Sequence, residues 1–101
     1  ILDVPGIDGI YVGPSDLAFS LGKTPKLDHD DPEILKIYKR LIKECGKRGI
    51  YAGIHCGTQE YAAKMIKMGF GLTTIANDSG LMAKAALEAV AGVWKQVGKL
   101  R

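Results

Sequence analysis

Three short apolar runs, at residues 7–12, 50–56 and 72–76, alternate with segments whose apolar residues recur at helical spacing. That alternation limits the possible folds more than any other feature of the chain. Strand, helix and strand in succession read as parallel βαβ units with right-handed crossovers. The runs lack a clean in–out alternation, as expected of a sheet covered on both faces. Three such units fit either a small open sheet or an arc of a (β/α)8 barrel, and periodicity does not choose between them.

The punctuation between the runs is specific. Asp31, Pro32 and Glu33 supply a capping side chain, a proline at the first helical position and an acid in the first turn. Ile34, Ile37, Tyr38, Leu41, Ile42 and Cys45 then form one apolar stripe, and Gly46 and Gly49 bracket the expected stop. Thr58 is placed to cap a helix over 59–68, with Tyr61, Ala62, Met65 and Ile66 on its apolar side and Gly69 at the C′ position. Residues 15–22 read as a turn or short helix, and 23–31 as a polar loop. Asn77, Asp78 and Ser79 are alternative caps for a last helix reaching about residue 96. Its Leu81, Met82, Ala85, Ala86, Ala89, Val90, Val93 and Trp94 cover a broad arc, so a second buried surface is expected, against another subunit.

Composition narrows the function classes. The net charge of +3 arises from 14 basic and 11 acidic residues. Lys36, Lys39, Arg40, Lys43, Lys47 and Arg48 all fall on one helix at the spacing of its wet face. No aromatic platform is interleaved with them, so nucleic acid is not an expected partner. Cys45 and Cys56 form no CxxC pair and no zinc-ligand set; two reduced thiols suit a cytoplasmic setting. No run of roughly 18 apolar residues offers a membrane span. Residues 1–6 lack both an initiator methionine and the basic and apolar regions of a signal peptide. The expectation is therefore a single partial domain, 1–101, lying within a longer protein.

The segment Gly9-Ile-Tyr-Val-Gly-Pro-Ser-Asp-Leu-Ala18 carries the chemistry. It lies at a strand's carboxyl end, where α/β folds bind ligands. Gly13 allows close backbone approach, and Pro14 stiffens the turn. The amides of Ser15 and Asp16 then open a short helix, where free N–H groups suit a carboxylate. Asp16 offers a hard oxygen suited to magnesium or manganese. The bland alternative is a plain strand-to-helix turn in which Asp16 or Ser15 is only an N-cap.

Gly13-Pro-Ser-Asp-Leu-Ala18, preceded by Ile7-Asp-Gly-Ile-Tyr-Val12, resembles the signature of the HpcH/HpaI aldolases, the class II pyruvate aldolases. Lys47-Arg-Gly-Ile-Tyr-Ala-Gly-Ile54, Tyr61-Ala-Ala-Lys-Met-Ile-Lys-Met-Gly-Phe70 and Asn77-Asp-Ser-Gly-Leu81 keep the same register to the chain's end. The resemblance implies an arc of about three βα units from a TIM barrel. It implies a divalent cation (Mg²⁺, Mn²⁺ or Co²⁺) that holds pyruvate and acts as a Lewis acid for the enolate. The implied reaction is reversible retro-aldol cleavage of a 4-hydroxy-2-keto acid to pyruvate and an aldehyde. Asp16 matches the family's metal-binding aspartate. Gly13, Ser15 and Asp16 match the backbone that holds the carboxylate, and Pro14 and Ser15 match part of the wall around the methyl group. His55 stands where many members place a leucine of the same pocket, a departure that bears on substrate preference. The family's metal-binding glutamate and its catalytic arginine and histidine lie on earlier strands, so no catalytic residue is expected in this segment. Homo-oligomerisation through the C-terminal helix is also implied.

Other residues take blander readings. His55 sits at a strand end on the ligand side, where it would touch an acceptor, carry a proton or fill the rim. His29 reads as a solvated loop residue, and Asp28, Asp30 and Asp31 as capping and solvating acids. Three other functions stay open: a citrate-lyase or malyl-CoA-lyase type relative, which needs a CoA-binding surface not found here, a nucleotide- or phosphate-binding barrel, and a non-catalytic α/β module.

Overall fold

The computed structural model describes residues 1–98. The order is β1 (Gly9–Val12), α1 (Pro14–Ser20), α2 (Pro32–Arg48), β2 (Tyr51–Cys56), α3 (Gln59–Met68), β3 (Leu72–Ile75) and α4 (Asp78–Val97). The strands form one parallel sheet in the order β1-β2-β3. Gly9 to Val12 pair with Tyr51 to Ile54, and Gly53 to Cys56 with Leu72 to Ile75. The α/β expectation is met. β3 is shorter than the apolar run because Ala76 turns into the left-handed region at φ 54° while its N–H bonds to Cys56 O at 2.8 Å.

The core lies on one face of this sheet. Val12, Ala52, Ile54 and Cys56 point toward α2 and α3 and pack with Ile34, Tyr38, Cys45, Tyr61, Ala62, Met65 and Phe70. The Tyr38 and Phe70 rings meet edge to face at 5.7 Å, a favoured aromatic geometry. Ile66, expected on the apolar side of α3, lies exposed beyond the edge of that stripe. Asp31 caps α2 by accepting from Glu33 N, and Thr58 caps α3 by accepting from Tyr61 N. Gly46 does not end α2 but lies inside it; the helix ends at Gly49, in the left-handed region. At Gly69 (φ 132°) a Cβ would stand 2.8 Å from Ile42 Cγ2, so the turn into β3 admits only glycine.

His29 is a correction. Expected in solvent, it is 2% exposed, its backbone carbonyl accepts from the Tyr61 hydroxyl, and its Nε2 has no hydrogen-bond partner among the described residues. The loop around it is stitched down by long-range bonds. Asp28 accepts from Gly57 N at 2.7 Å and from the Thr58 hydroxyl at 2.8 Å, while Asp30 pairs with Lys64. These bonds join parts of the chain about thirty residues apart, which local composition does not encode.

Burial also sets an alkaline limit on stability. It pushes the Cys56 thiol up to about 11 from an ordinary value of 9.0, with the Asp28 carboxylate adding to the shift. The Tyr38 phenol is raised by burial to about 12 from 10.0. Both fold in the neutral form, so their contribution is full below the unfolded values and is lost as pH rises through the folded ones. The urea midpoint is therefore expected to hold steady to about pH 9 and to fall between about pH 9 and 12. Cys56→Ala should flatten the lower part of that slope, and a midpoint unchanged up to pH 12 would contradict the assignment.

α4 differs from the other helices. None of its described residues is buried, and Leu81, Met82, Leu87, Val90 and Val93 are all more than half exposed. The unit is correspondingly elongated, 64 × 27 × 21 Å.

Candidate active site

Strand alternation puts Tyr11, Gly53, His55, Leu72 and Thr74 on the sheet face opposite the core. Tyr11 and Leu72 are each more than half exposed there. Gly53 supplies the space that lets this face assemble. A Cβ at that position would lie 3.3 Å from Tyr11 Cδ1 and 3.4 Å from Leu72 Cβ. The Tyr11 ring therefore lies over β2, and its hydroxyl reaches the Thr74 hydroxyl on β3. Thr74 Oγ1 also bonds His55 Nδ1 at 2.7 Å.

At the carboxyl end of this face lies an open cleft of about 330 Å³, lined by Tyr11, Gly13, Pro14, Ser15, Asp16, Leu27 and His55. All five residues singled out from the sequence, Gly13 to Asp16 and His55, therefore share one cleft. Leu27, which completes the wall, was not foreseen. It comes from the stitched loop, and no local pattern places it there.

The local geometry follows from the Gly-Pro bend. Gly13 is extended (φ −95°, ψ 100°), and Pro14 opens α1 at a position that has no N–H to satisfy. Among the four helices of the described residues, α2, α3 and α4 begin with a side-chain cap, from Asp31, Thr58 and Asn77. α1 has none, so the amides of its first turn stay open. The Asp16 carboxylate lies back toward the strand, so that a Cβ at Gly13 would sit 3.1 Å from Asp16 Oδ2. Gly13 is thus the residue that makes room for this carboxylate. Asp16 is exposed and makes no ion pair with a described residue.

The donor set fits a hard cation in part. Asp16 is the one carboxylate lining the cleft. No group of three or more His, Cys, Asp and Glu able to hold a metal occurs among the described residues. A cation here would take one ligand from this segment and the others from substrate, water or further protein.

The start of α4 is a different matter. Asn77 Oδ1 accepts from Gly80 N at 2.7 Å and Asp78 Oδ1 from Ser79 N at 2.8 Å. Capping accounts for this cluster, and its amides do not await an anion. No helix of the described residues is long and apolar enough to cross a membrane.

No family model matches the chain. Curated proteins do. A hydroxypyruvate/pyruvate aldolase of Rhizorhabdus wittichii is 34% identical over 91 residues, 90% of this chain and 36% of the relative. A 4-hydroxy-2-oxo-heptane-1,7-dioate aldolase of Escherichia coli is 32% identical over 86 residues, 85% of this chain and 32% of the relative. A crystal structure of an HpcH/HpaI aldolase/citrate lyase family protein from Burkholderia cenocepacia superposes with a TM-score of 0.83 at 29% identity. It covers 92% of this chain and 35% of that one. An HpcH/HpaI aldolase from Desulfitobacterium hafniense, 20% identical, shares the fold at a TM-score of 0.81 over 93% of this chain and 36% of that one. The chain thus spans about a third of the length of the relatives it matches. Three parallel βα units and a Gly-Pro-Ser-Asp bend at a strand exit, with these likenesses, make the chain similar in sequence and fold to about a third of an HpcH/HpaI aldolase barrel.

Proposed function

We propose that the protein carrying this segment is a class II pyruvate aldolase that reversibly cleaves a 4-hydroxy-2-keto acid to pyruvate and an aldehyde, and that this cleft holds the keto acid. One observation carries the reading. The Gly13–Asp16 bend brings a carboxylate with no ion-pair partner among the described residues and an uncapped helix start into the same cleft. In this reading Asp16 ligates a divalent cation (Mg²⁺, Mn²⁺ or Co²⁺). When bound, that cation supplies Lewis-acid stabilisation of negative charge on the keto acid. The amides at Ser15 and Asp16 hold the substrate carboxylate, Pro14 and Ser15 wall its methyl group, and Leu27 and His55 border the space left for the aldehyde. The remaining metal ligand and the proton-transfer groups come from other strands of the barrel, and residues 1–101 form a partial domain of it.

The exposed apolar face of α4 supports a homo-oligomer in which this helix packs on a neighbouring subunit, in a cytoplasmic enzyme. Isolated apolar residues on a surface need no explanation, but a continuous helical face of this kind marks an interface. The activity reading is tested by pyruvate release from a 4-hydroxy-2-keto acid. Chelator-treated complete protein is expected to lose turnover and to regain it with Mg²⁺ or Mn²⁺. Full activity in excess chelator would sink the metal-dependent assignment.

A further inference from the structure

His55 lines the same cleft as Asp16, and the proposed function gives no role to the hydroxyls that hold it. Its Nδ1 is engaged by Thr74 Oγ1 at 2.7 Å, and the same oxygen meets the Tyr11 hydroxyl. Nε2, the ring's other polar atom, has no protein partner among the described residues. The three groups come from three adjacent strands and meet only because Gly53 lets the Tyr11 ring lie across β2.

A neutral imidazole carries one proton, and the partner of one nitrogen decides which nitrogen that is. A phenol is a better donor than an aliphatic hydroxyl, and an imidazole nitrogen is a good acceptor. Each group takes its better role when Tyr11 donates to Thr74 and Thr74 donates to His55 Nδ1. The reverse order would leave a phenol oxygen as the terminal acceptor. The favoured order puts the proton on Nε2, so His55, as one of the residues lining the cleft, presents a hydrogen-bond donor.

We infer that Tyr11 and Thr74 are positioning residues that fix the His55 tautomer, so that Nε2–H is offered to an oxygen of the substrate and the cleft favours substrates with a hydroxyl beside the reacting carbon. This inference rests on the keto-acid reading of the same cleft. The hydroxyl belongs either to the keto acid or to the aldehyde, and two ratios of kcat/KM distinguish them. One compares hydroxypyruvate with pyruvate against a constant aldehyde, propanal. The other compares glycolaldehyde with propanal against constant pyruvate.

In the complete protein, Thr74→Val is expected to lower one of these ratios about tenfold, mainly through KM, the size of one lost hydrogen bond. The responding ratio identifies the source of the hydroxyl. Tyr11→Phe should act in the same direction, more weakly. Thr74→Ser keeps the hydroxyl and should restore the ratio, whereas Thr74→Val should add nothing in a His55→Leu background. If Thr74→Val and Tyr11→Phe leave both ratios unchanged, or Thr74→Val and Thr74→Ser behave alike, the tautomer device is wrong. Pyruvate-dependent Mn²⁺ binding by the unaltered protein keeps the two claims apart. Its presence alongside unmoved ratios defeats this inference alone, and its absence defeats the reading beneath it.

Discussion

If Asp16 ligates the cation as proposed, replacing it with alanine in the complete protein is expected to lower kcat/KM for retro-aldol cleavage by about a thousandfold or more, because Lewis-acid stabilisation is worth several kcal/mol of barrier. Asp16 is the one acidic residue among the described residues lining the cleft, so no described neighbour can take its place. Its removal leaves the fold largely alone. The side chain is exposed and makes no ion pair with a described residue, and its loss uncaps nothing, because α1 has no side-chain cap to lose. An unchanged melting temperature with collapsed turnover is the expected pair of results. Asp16→Asn should be nearly as damaging, since a neutral amide oxygen is a poor ligand for a hard cation. A fall of less than about tenfold, the scale of one ordinary hydrogen bond, would return Asp16 to the role of a surface residue at a turn.

The second large effect concerns the 101 residues taken alone, which are expected to release no pyruvate above the buffer rate with Mg²⁺, Mn²⁺ or Co²⁺ present. A single carboxylate does not hold a catalytic cation in water. Among the described residues no cluster of three ligating side chains exists. The sheet face beside the cleft is also open. Tyr11 and Leu72 lie more than half exposed on it, so water would surround any bound keto acid and weaken every electrostatic contact made to it. A barrel of roughly 250 residues covers such a face with the side chains of its other strands. Steady turnover by the isolated segment would mean that the missing ligands are not needed.

The two effects separate two kinds of legibility. Element order could be read because capping and periodicity are local. Asp31-Pro32, Thr58 and Asn77 each start a helix where their own chemistry requires one. The cleft's Gly13 to Asp16 edge could be read for the same reason, being one continuous bend. What escaped depends on contacts distant in sequence. Leu27 reaches the cleft because Asp28 grips Gly57 and Thr58. His29, in a run of aspartates, is buried under Tyr61 rather than solvated. Thr74 looked like one residue in an apolar run, and only the parallel register sets it beside His55. The apolar arc of α4 was visible in the residues, and none of its described residues is buried.

The most direct measurement is Mn²⁺ affinity of the complete protein, with and without pyruvate, for the unaltered and Asp16→Ala forms. Shared ligation of one cation by Asp16 and a keto acid predicts that pyruvate tightens Mn²⁺ binding in the first form, and that Asp16→Ala weakens binding in the presence of pyruvate by at least about tenfold. Equal Mn²⁺ affinity in the two forms, whether or not pyruvate is present, would contradict the assignment of this cleft as the metal–keto acid site.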